Sequence, residues 1–217
     1  MNAANPYVGA YPFLSERHGV WREIVRYVAR DAPGAESVIE LGAGYCDFIN
    51  QFPAGRKVAF DLNPEMRKHA APGVDLRIGD CTGLPGIAPH SVDLVFASNF
   101  LEHLSGGELA ALLSSVARVL RPGGKLALLQ PNYLRCRDHY FDDPTHKTIF
   151  HHRNVAALVE PHGFHVVKVV PGLLPFSMNS RAPKWPLLVR LYLSLPVRPL
   201  AAQMYVVAER SGGHLER

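Results

Sequence analysis

No run of about 18 apolar residues free of proline and charge occurs anywhere in the chain, so a membrane-spanning helix is not expected. Cysteine is scarce. Cys46, Cys81 and Cys136 are the only three, lie far apart and lack the paired spacing of a zinc site, which argues against a disulfide framework or a structural metal and fits a reducing compartment. Lysine and arginine form no long block, and a formal charge of +4 over 217 residues is too mild and too scattered for a nucleic-acid-binding arm. Nucleic acid is not an expected partner. Met1 to Pro12 shows no basic segment leading into an apolar one, so no export leader is read there and a cytoplasmic location is expected. Repeats and low-complexity tracts are also missing. What remains, 47% hydrophobic and 19% charged, suits one well-filled α/β domain with appendages rather than two domains.

Val38, Ile39 and Leu41 form a short apolar run interrupted by Glu40 and ended by Gly42-Ala43-Gly44, the pattern of a buried strand that stops in a turn before a helix. Two glycines leave room for backbone N–H groups and the next helix N-terminus to approach a polar ligand. A second strand ends at Asp61, about 20 residues on, where an acid meets ribose hydroxyls in nucleotide-binding folds. A dinucleotide fingerprint would have its third glycine where Asp47 stands, so a pyrophosphate would face a carboxylate.

Strand and helix patterns then alternate: strand 37–41, helix 45–52, strand 57–61, helix 64–70, strands 74–78 and 92–97, helix 106–120, strand 124–130, helix 152–161, and strands 164–170 and 203–209. A helix over about 15–30 precedes them, with Ser15 as its N-cap, and Asn63-Pro64 caps the second crossover.

The ordered set Glu40-Leu41-Gly42-Ala43-Gly44, Asp61, Gly79-Asp80-Cys81, Asp93-Leu94-Val95-Phe96-Ala97 and Arg121-Pro122-Gly123-Gly124 resembles the class I S-adenosylmethionine-dependent methyltransferases, of the small-molecule, type 11-like kind, over roughly 36–170. In that family the third glycine of the first loop falls at Cys46, where this chain departs. The resemblance implies an α/β, Rossmann-like, mostly parallel seven-stranded sheet with helices on both faces and the last strand antiparallel. An N-terminal helix and a C-terminal lid-like insertion are added to it. One domain over 1–217 would then divide into an arm and helix (1–36), a cofactor-binding core (37–170), a Pro-rich apolar and basic insertion (171–202) and a final strand (203–210).

The implied cofactor is S-adenosylmethionine, held by Glu40, Gly42, Ala43, Gly44, Asp61, Leu62, Asp80, Cys81, Ser98 and Asn99. Glu40 could equally be structural, fixing the turn, and Asp80 could be an Asx-turn acid. Tyr7, Tyr11 or His18 could reach the ligand from the N-terminal arm, or the rings could simply pin that arm to the surface. Between the fifth strand and the last helix, Arg137 to His152 holds seven Asp and His residues. In related enzymes such an insertion roofs the acceptor site, and His146, followed by Phe150, is the expected catalytic base or acceptor-orienting group, with His139 second. His103 is expected to be structural. No metal is assigned, a divalent ion in the His/Asp segment being the lesser alternative.

The reading is a methyltransferase acting on a small or lipid-linked acceptor, oxygen before carbon. An NAD(P)-dependent Rossmann oxidoreductase and a non-catalytic cofactor-binding scaffold are the rivals. Trp185 to Leu195 is apolar around most of a helix, and no acid occurs between Glu160 and Glu209. That segment could dock on the core as a lid, meet a membrane surface through 184–200 at the inner face, or form a homodimer contact.

Overall fold

Residues at i and i+2 of a strand share a face, and the apolar runs from Ser37 onward are apolar on both faces, which suits strands covered by helices on each side. In the computed structural model, which describes residues 16–175 and 184–212, that is the arrangement. The helix α1 (Arg17–Ala29) leads into β1 (Ser37–Leu41), α2 (Asp47–Gln51), β2 (Arg56–Asp61), β3 (Val74–Ile78), β4 (Val92–Ser98), α3 (Gly106–Val119) and β5 (Leu120–Pro131). The chain continues through α4 (Arg137–Tyr140), α5 (Val155–Val159), β6 (Phe164–Leu174), α6 (Pro186–Ser194) and β7 (Gln203–Arg210). The seven strands lie in the order β3-β2-β1-β4-β5-β7-β6. The first five run parallel, and β7 is antiparallel to both its neighbours, inserted beside the edge as expected.

The two sheet faces carry separate cores. Ile39, Leu41, Phe60 and Val95 pack under Leu109, Leu112, Leu113 and Val116 of α3. On the other face Val38, Leu94, Phe96 and Tyr205 meet Ile24 and Val28 of α1 and Phe48 of α2. The helix α3 starts where Ser105 and Glu108 form a capping box, Ser105 N donating to Glu108 Oε2 at 2.7 Å. These contacts fix the C-terminal strand ends side by side: Ala43 N donates to Phe60 O, and Gly79 N to Asp61 O.

Two helices differ from the sequence reading. The segment Pro64–His69 is a 3-10 helix rather than an α-helix, although Asn63 caps it as anticipated, its Oδ1 accepting from Glu65 N at 3.0 Å. The helix read over 152–161 shrinks to α5 and one 3-10 turn, because Pro161 cannot donate within an α-helix and Gly163 leaves it at φ +86°. The Ser15 cap lies outside the described residues, as do Tyr7 and Tyr11. His18 is at the exposed face of α1. No helix of the described chain is long and apolar enough to cross a membrane.

Candidate active site

The loop after β1 is built by backbone conformation before any side chain acts. Gly42 sits at φ +65°, and a Cβ there would come 2.6 Å from the Phe100 ring, so only glycine fits. Gly44, at φ +50°, has open space around its missing Cβ, where a ligand can meet bare backbone. Cys46 also keeps the left-handed conformation of a glycine (φ +57°) despite its side chain. As N-cap of α2 it offers no oxygen acceptor, and Glu40 supplies one instead: Glu40 Oε2 accepts from Ile49 N at 3.0 Å. Burial raises the Glu40 pKa well above the usual carboxylate range, against that hydrogen bond.

Asp61 ends β2 with its carboxylate turned to the same loop. Its Oδ2 accepts from Gly44 N at 2.7 Å and its Oδ1 from Asn63 N at 2.8 Å. A carboxylate has about four acceptor positions, so two remain for ligand hydroxyls. Leu62 beside it is exposed, an apolar surface available to a flat ring. Asp80 is exposed and holds an Asx-turn, accepting from Thr82 N at 2.9 Å and Thr82 Oγ1 at 2.7 Å. Cys81 is buried, and burial together with Asp80 pushes its thiol up to about 12. Ser98 is half-buried at the tip of β4, and Asn99 follows at φ +46°, its Oδ1 accepting from Gln203 Nε2 at 2.7 Å. On the outer side of the loop, Arg17 pairs with Asp47 at 2.8 Å and lies over the Tyr45 ring at 5.2 Å, fastening α1 to the turn.

A second cluster follows β4. Glu102 is fully buried, and neither of its carboxylate oxygens has a hydrogen-bond partner. Its main-chain oxygen accepts from Lys147 N (2.7 Å) and Thr148 N (3.1 Å), which folds the 137–152 segment down over it. His146 points inward from that segment with its side chain only 5% exposed, its Nε2 3.9 Å from Glu102 Oε1 and its Nδ1 unpartnered. At 3.9 Å the two are within ion-pair reach but are not hydrogen-bonded. His103 and Tyr140 flank the His146 ring with centroids at 4.9 Å and 4.8 Å, and Tyr140 OH donates to Thr148 O at 2.7 Å. Burial pushes the Glu102 carboxyl up to about 8 and, with His146, lowers the His103 pKa.

Ligand atoms of Glu102, His103 and His146 lie within 4.8 Å of one another. Donors on a tetrahedral zinc ion stand about 3.4 Å apart at the usual bond lengths, so the trio would have to close to hold one. His139 is separate from this cluster: 71% exposed, it pairs with Asp142 at 3.0 Å.

Residues 39–128 match the family model described as a methyltransferase domain. With that match on a seven-stranded sheet whose β7 runs antiparallel, the assignment follows. The core carries a methyltransferase domain, on a sheet of the class I S-adenosylmethionine-dependent fold. A trans-aconitate 2-methyltransferase from Azoarcus sp. is 31% identical over 142 residues, covering 62% of this chain and 51% of that protein. A malonyl-[acyl-carrier protein] O-methyltransferase from Methylococcus capsulatus is 35% identical over 105 residues, 44% of this chain and 37% of that protein. The chain thus spans about half the length, or less, of these curated relatives. In fold it is similar to a SAM dependent methyltransferase from Archaeoglobus fulgidus, with a TM-score of 0.63 at 21% identity, covering 87% of this chain and 94% of that one.

Within this methyltransferase domain the sequence-selected residues Gly42, Ala43, Gly44, Asp61, Leu62, Asp80, Cys81, Ser98 and Asn99 gather at the C-terminal ends of β1 to β4. The carboxylate of Glu40 at the end of β1 is buried, with one oxygen on Ile49 N of α2. Sequence reasoning passed over Glu102 as a functional residue, though an acid between Leu101 and His103 after an apolar strand was a visible signal of the same kind as Glu40. It also passed over Gln130 and Asn132, both fully buried at the end of β5, where Gln130 Oε1 accepts from Phe100 N at 3.3 Å.

Proposed function

We propose that this chain transfers a methyl group from S-adenosylmethionine to a small or lipid-linked acceptor, an oxygen in preference to a carbon. The cofactor supplies an electrophilic methyl group on a sulfonium sulfur. The Gly42-Ala43-Gly44 loop gives bare backbone for its amino-acid end, and the two free acceptor positions of Asp61 suit its ribose hydroxyls. Leu62, Asp80, Cys81, Ser98 and Asn99 bound the rest of the pocket, while Glu40 holds the loop by capping α2.

The single observation that carries an acceptor role for the second cluster is the buried pair Glu102 and His146, which has three unpartnered polar atoms. Buried polar groups are nearly always satisfied, and exceptions concentrate where a ligand completes them. His146 is assigned as the base that takes the acceptor hydroxyl proton, and His139, being exposed, is the weaker choice. Oxygen is favoured because a hydroxyl must lose a proton, which gives a histidine work to do, and because one relative is named as an O-methyltransferase. The oxidoreductase reading loses ground at Asp47, whose carboxylate pairs with Arg17 where a dinucleotide loop would have glycine.

Isothermal titration with S-adenosylhomocysteine, then transfer of labelled methyl into a cell extract, tests the proposal. Micromolar binding with label entering an extractable acceptor is expected. Binding without transfer would return the chain to the scaffold reading, and no binding would remove the cofactor assignment.

A further inference from the structure

The helix α6 docks on α1, which takes up one of its faces. Leu193 is buried, Pro186 sits so close to Gly19 that a Cβ there would come 2.8 Å from its Cγ, and Arg190 Nε donates to Glu23 at 2.9 Å. Docking on the body of the protein, one of the three fates read for this segment, therefore uses only the inner side. On the outer side Leu187 and Leu191 stand one turn apart, both exposed, with the less exposed Leu188 at the flank of their row. Trp185 just before the helix is 73% exposed, and Val197 and Leu200 just after it are 80% and 90% exposed. Among the described residues, six large apolar side chains within sixteen positions are left partly or largely exposed, Leu188 least.

The charge around this stripe has one sign in excess. Glu23, itself buried, is shared by Arg22, Arg26 and Arg190, so three guanidiniums surround one carboxylate at the α1–α6 seam. Lys184 adjoins Trp185, and the chain has no acid from Pro161 to Ala208. The excursion that carries α6 leaves the sheet at Leu174 and returns at Gln203, which pairs with Pro131 at the end of β5. It hangs from the edge of the sheet where β1 to β5 end.

We infer that this stripe is a docking surface for an anionic lipid bilayer, entered shallowly by Trp185, Leu187, Leu191, Val197 and Leu200 while the flanking cations meet headgroups. An apolar helix face that starts at tryptophan and is bordered by Arg and Lys is what an interfacial helix requires. A second copy of the chain fits less well. A two-fold contact on this face would set the arginine-rich seam opposite its own copy, and a nine-residue helix, about 13 Å long, offers too little area for a stable dimer.

The inference goes beyond the proposed activity, since vesicle binding is read without cofactor and stands or falls separately from it. The full chain is sedimented with phosphatidylcholine vesicles, with and without phosphatidylglycerol, beside the double variant Leu187→Glu/Leu191→Glu. Wild type is expected to pellet with the anionic vesicles and to release as salt rises. The double variant, altered only at exposed positions, should keep its melting temperature and its S-adenosylhomocysteine affinity but bind the vesicles at least about tenfold less. Failure to pellet with either vesicle overturns the inference, and so does equal pelleting with both or a double variant that binds like wild type. So too does concentration-dependent self-association in lipid-free solution that the double variant abolishes, which would give the stripe to a second copy.

Discussion

The loop after β1 and the cluster after β4 are two ends of the candidate site built on opposite terms. Around the loop after β1, the acids Glu40, Asp61 and Asp80 each accept hydrogen bonds from nearby chain, and Asp47 is paired with Arg17. Around Glu102 and His146, a few residues beyond β4, buried polar atoms stand without partners. On the proposed function, the first group is held in place for one cofactor before any ligand arrives. The second leaves its polar groups to be satisfied by what enters, and discrimination among acceptors is expected there: a substrate that pairs with them would gain what one lacking the group forfeits.

That contrast breaks first under a crossed pair of substitutions. His146→Ala is expected to lower turnover by about 10²- to 10⁴-fold with S-adenosylhomocysteine affinity kept within about twofold, since it removes a proton acceptor from one end only. Asp61→Ala should do the reverse at the cofactor end. Two charge-assisted hydrogen bonds to ligand are lost, each about 1.5–3 kcal/mol, so affinity in calorimetry drops at least about 100-fold. If His146→Ala weakened cofactor binding as much as Asp61→Ala does, the two ends would be one site.

A smaller effect sharpens the electrostatic half of the comparison. Burial holds the Glu102 carboxyl at about 8, against 4.5 in the unfolded chain, so between those values the folded protein keeps a proton that the unfolded one has lost. Stability from the neutral form is therefore complete at low pH and drains away as pH rises toward 8. In Glu102→Gln, neutral at every pH, this loss disappears. Urea midpoints at pH 6, 7 and 8 should show the variant gaining on wild type by up to about 1.4 kcal/mol per unit, then levelling off. A constant difference would mean that Glu102 is ionised throughout and paired with His146 as a salt bridge.

How far the sequence led follows the same division. The strands were legible because Ser37–Leu41 and Gln203–Arg210 are apolar runs and Val74–Ile78 alternates apolar with charged residues, and local pattern decides such elements. Asp61 was legible because its place depends on one strand and one turn. The surroundings of Glu40, Asp47 and Glu102 were not, since Ile49 N and Arg17 bond to the first two and His146 comes near the third through tertiary packing, in the last case from 44 residues away (146 − 102). Of the two readings of Asp80, the Asx-turn is present, and it depends only on residues two positions apart. The helix expected over 152–161 failed for a local reason within reach, the proline at 161.

The smallest expected effect lies at Cys46, where the loop after β1 departs from the glycine of the family it resembles. An L-residue in the left-handed region costs about 1–2 kcal/mol, and here the surroundings hold it there: the thiol is fully buried among Phe48, Ile49 and their neighbours. Burial, with the charges of Glu40 and Asp61, pushes that thiol up to about 12, so it serves as packing rather than as a nucleophile. Both Cys46→Gly and Cys46→Ala remove the buried sulfur, but only the glycine also removes the Cβ strain, at the expense of a more flexible unfolded chain worth about 0.4–1 kcal/mol. The Gly variant is therefore expected to unfold at a higher urea midpoint than the Ala variant, by about 0.5–1 kcal/mol, the reverse of their usual order. An alanine variant that proved the more stable would mean the loop relaxes out of the left-handed region. The cofactor end would then be no stiffer than the acceptor end.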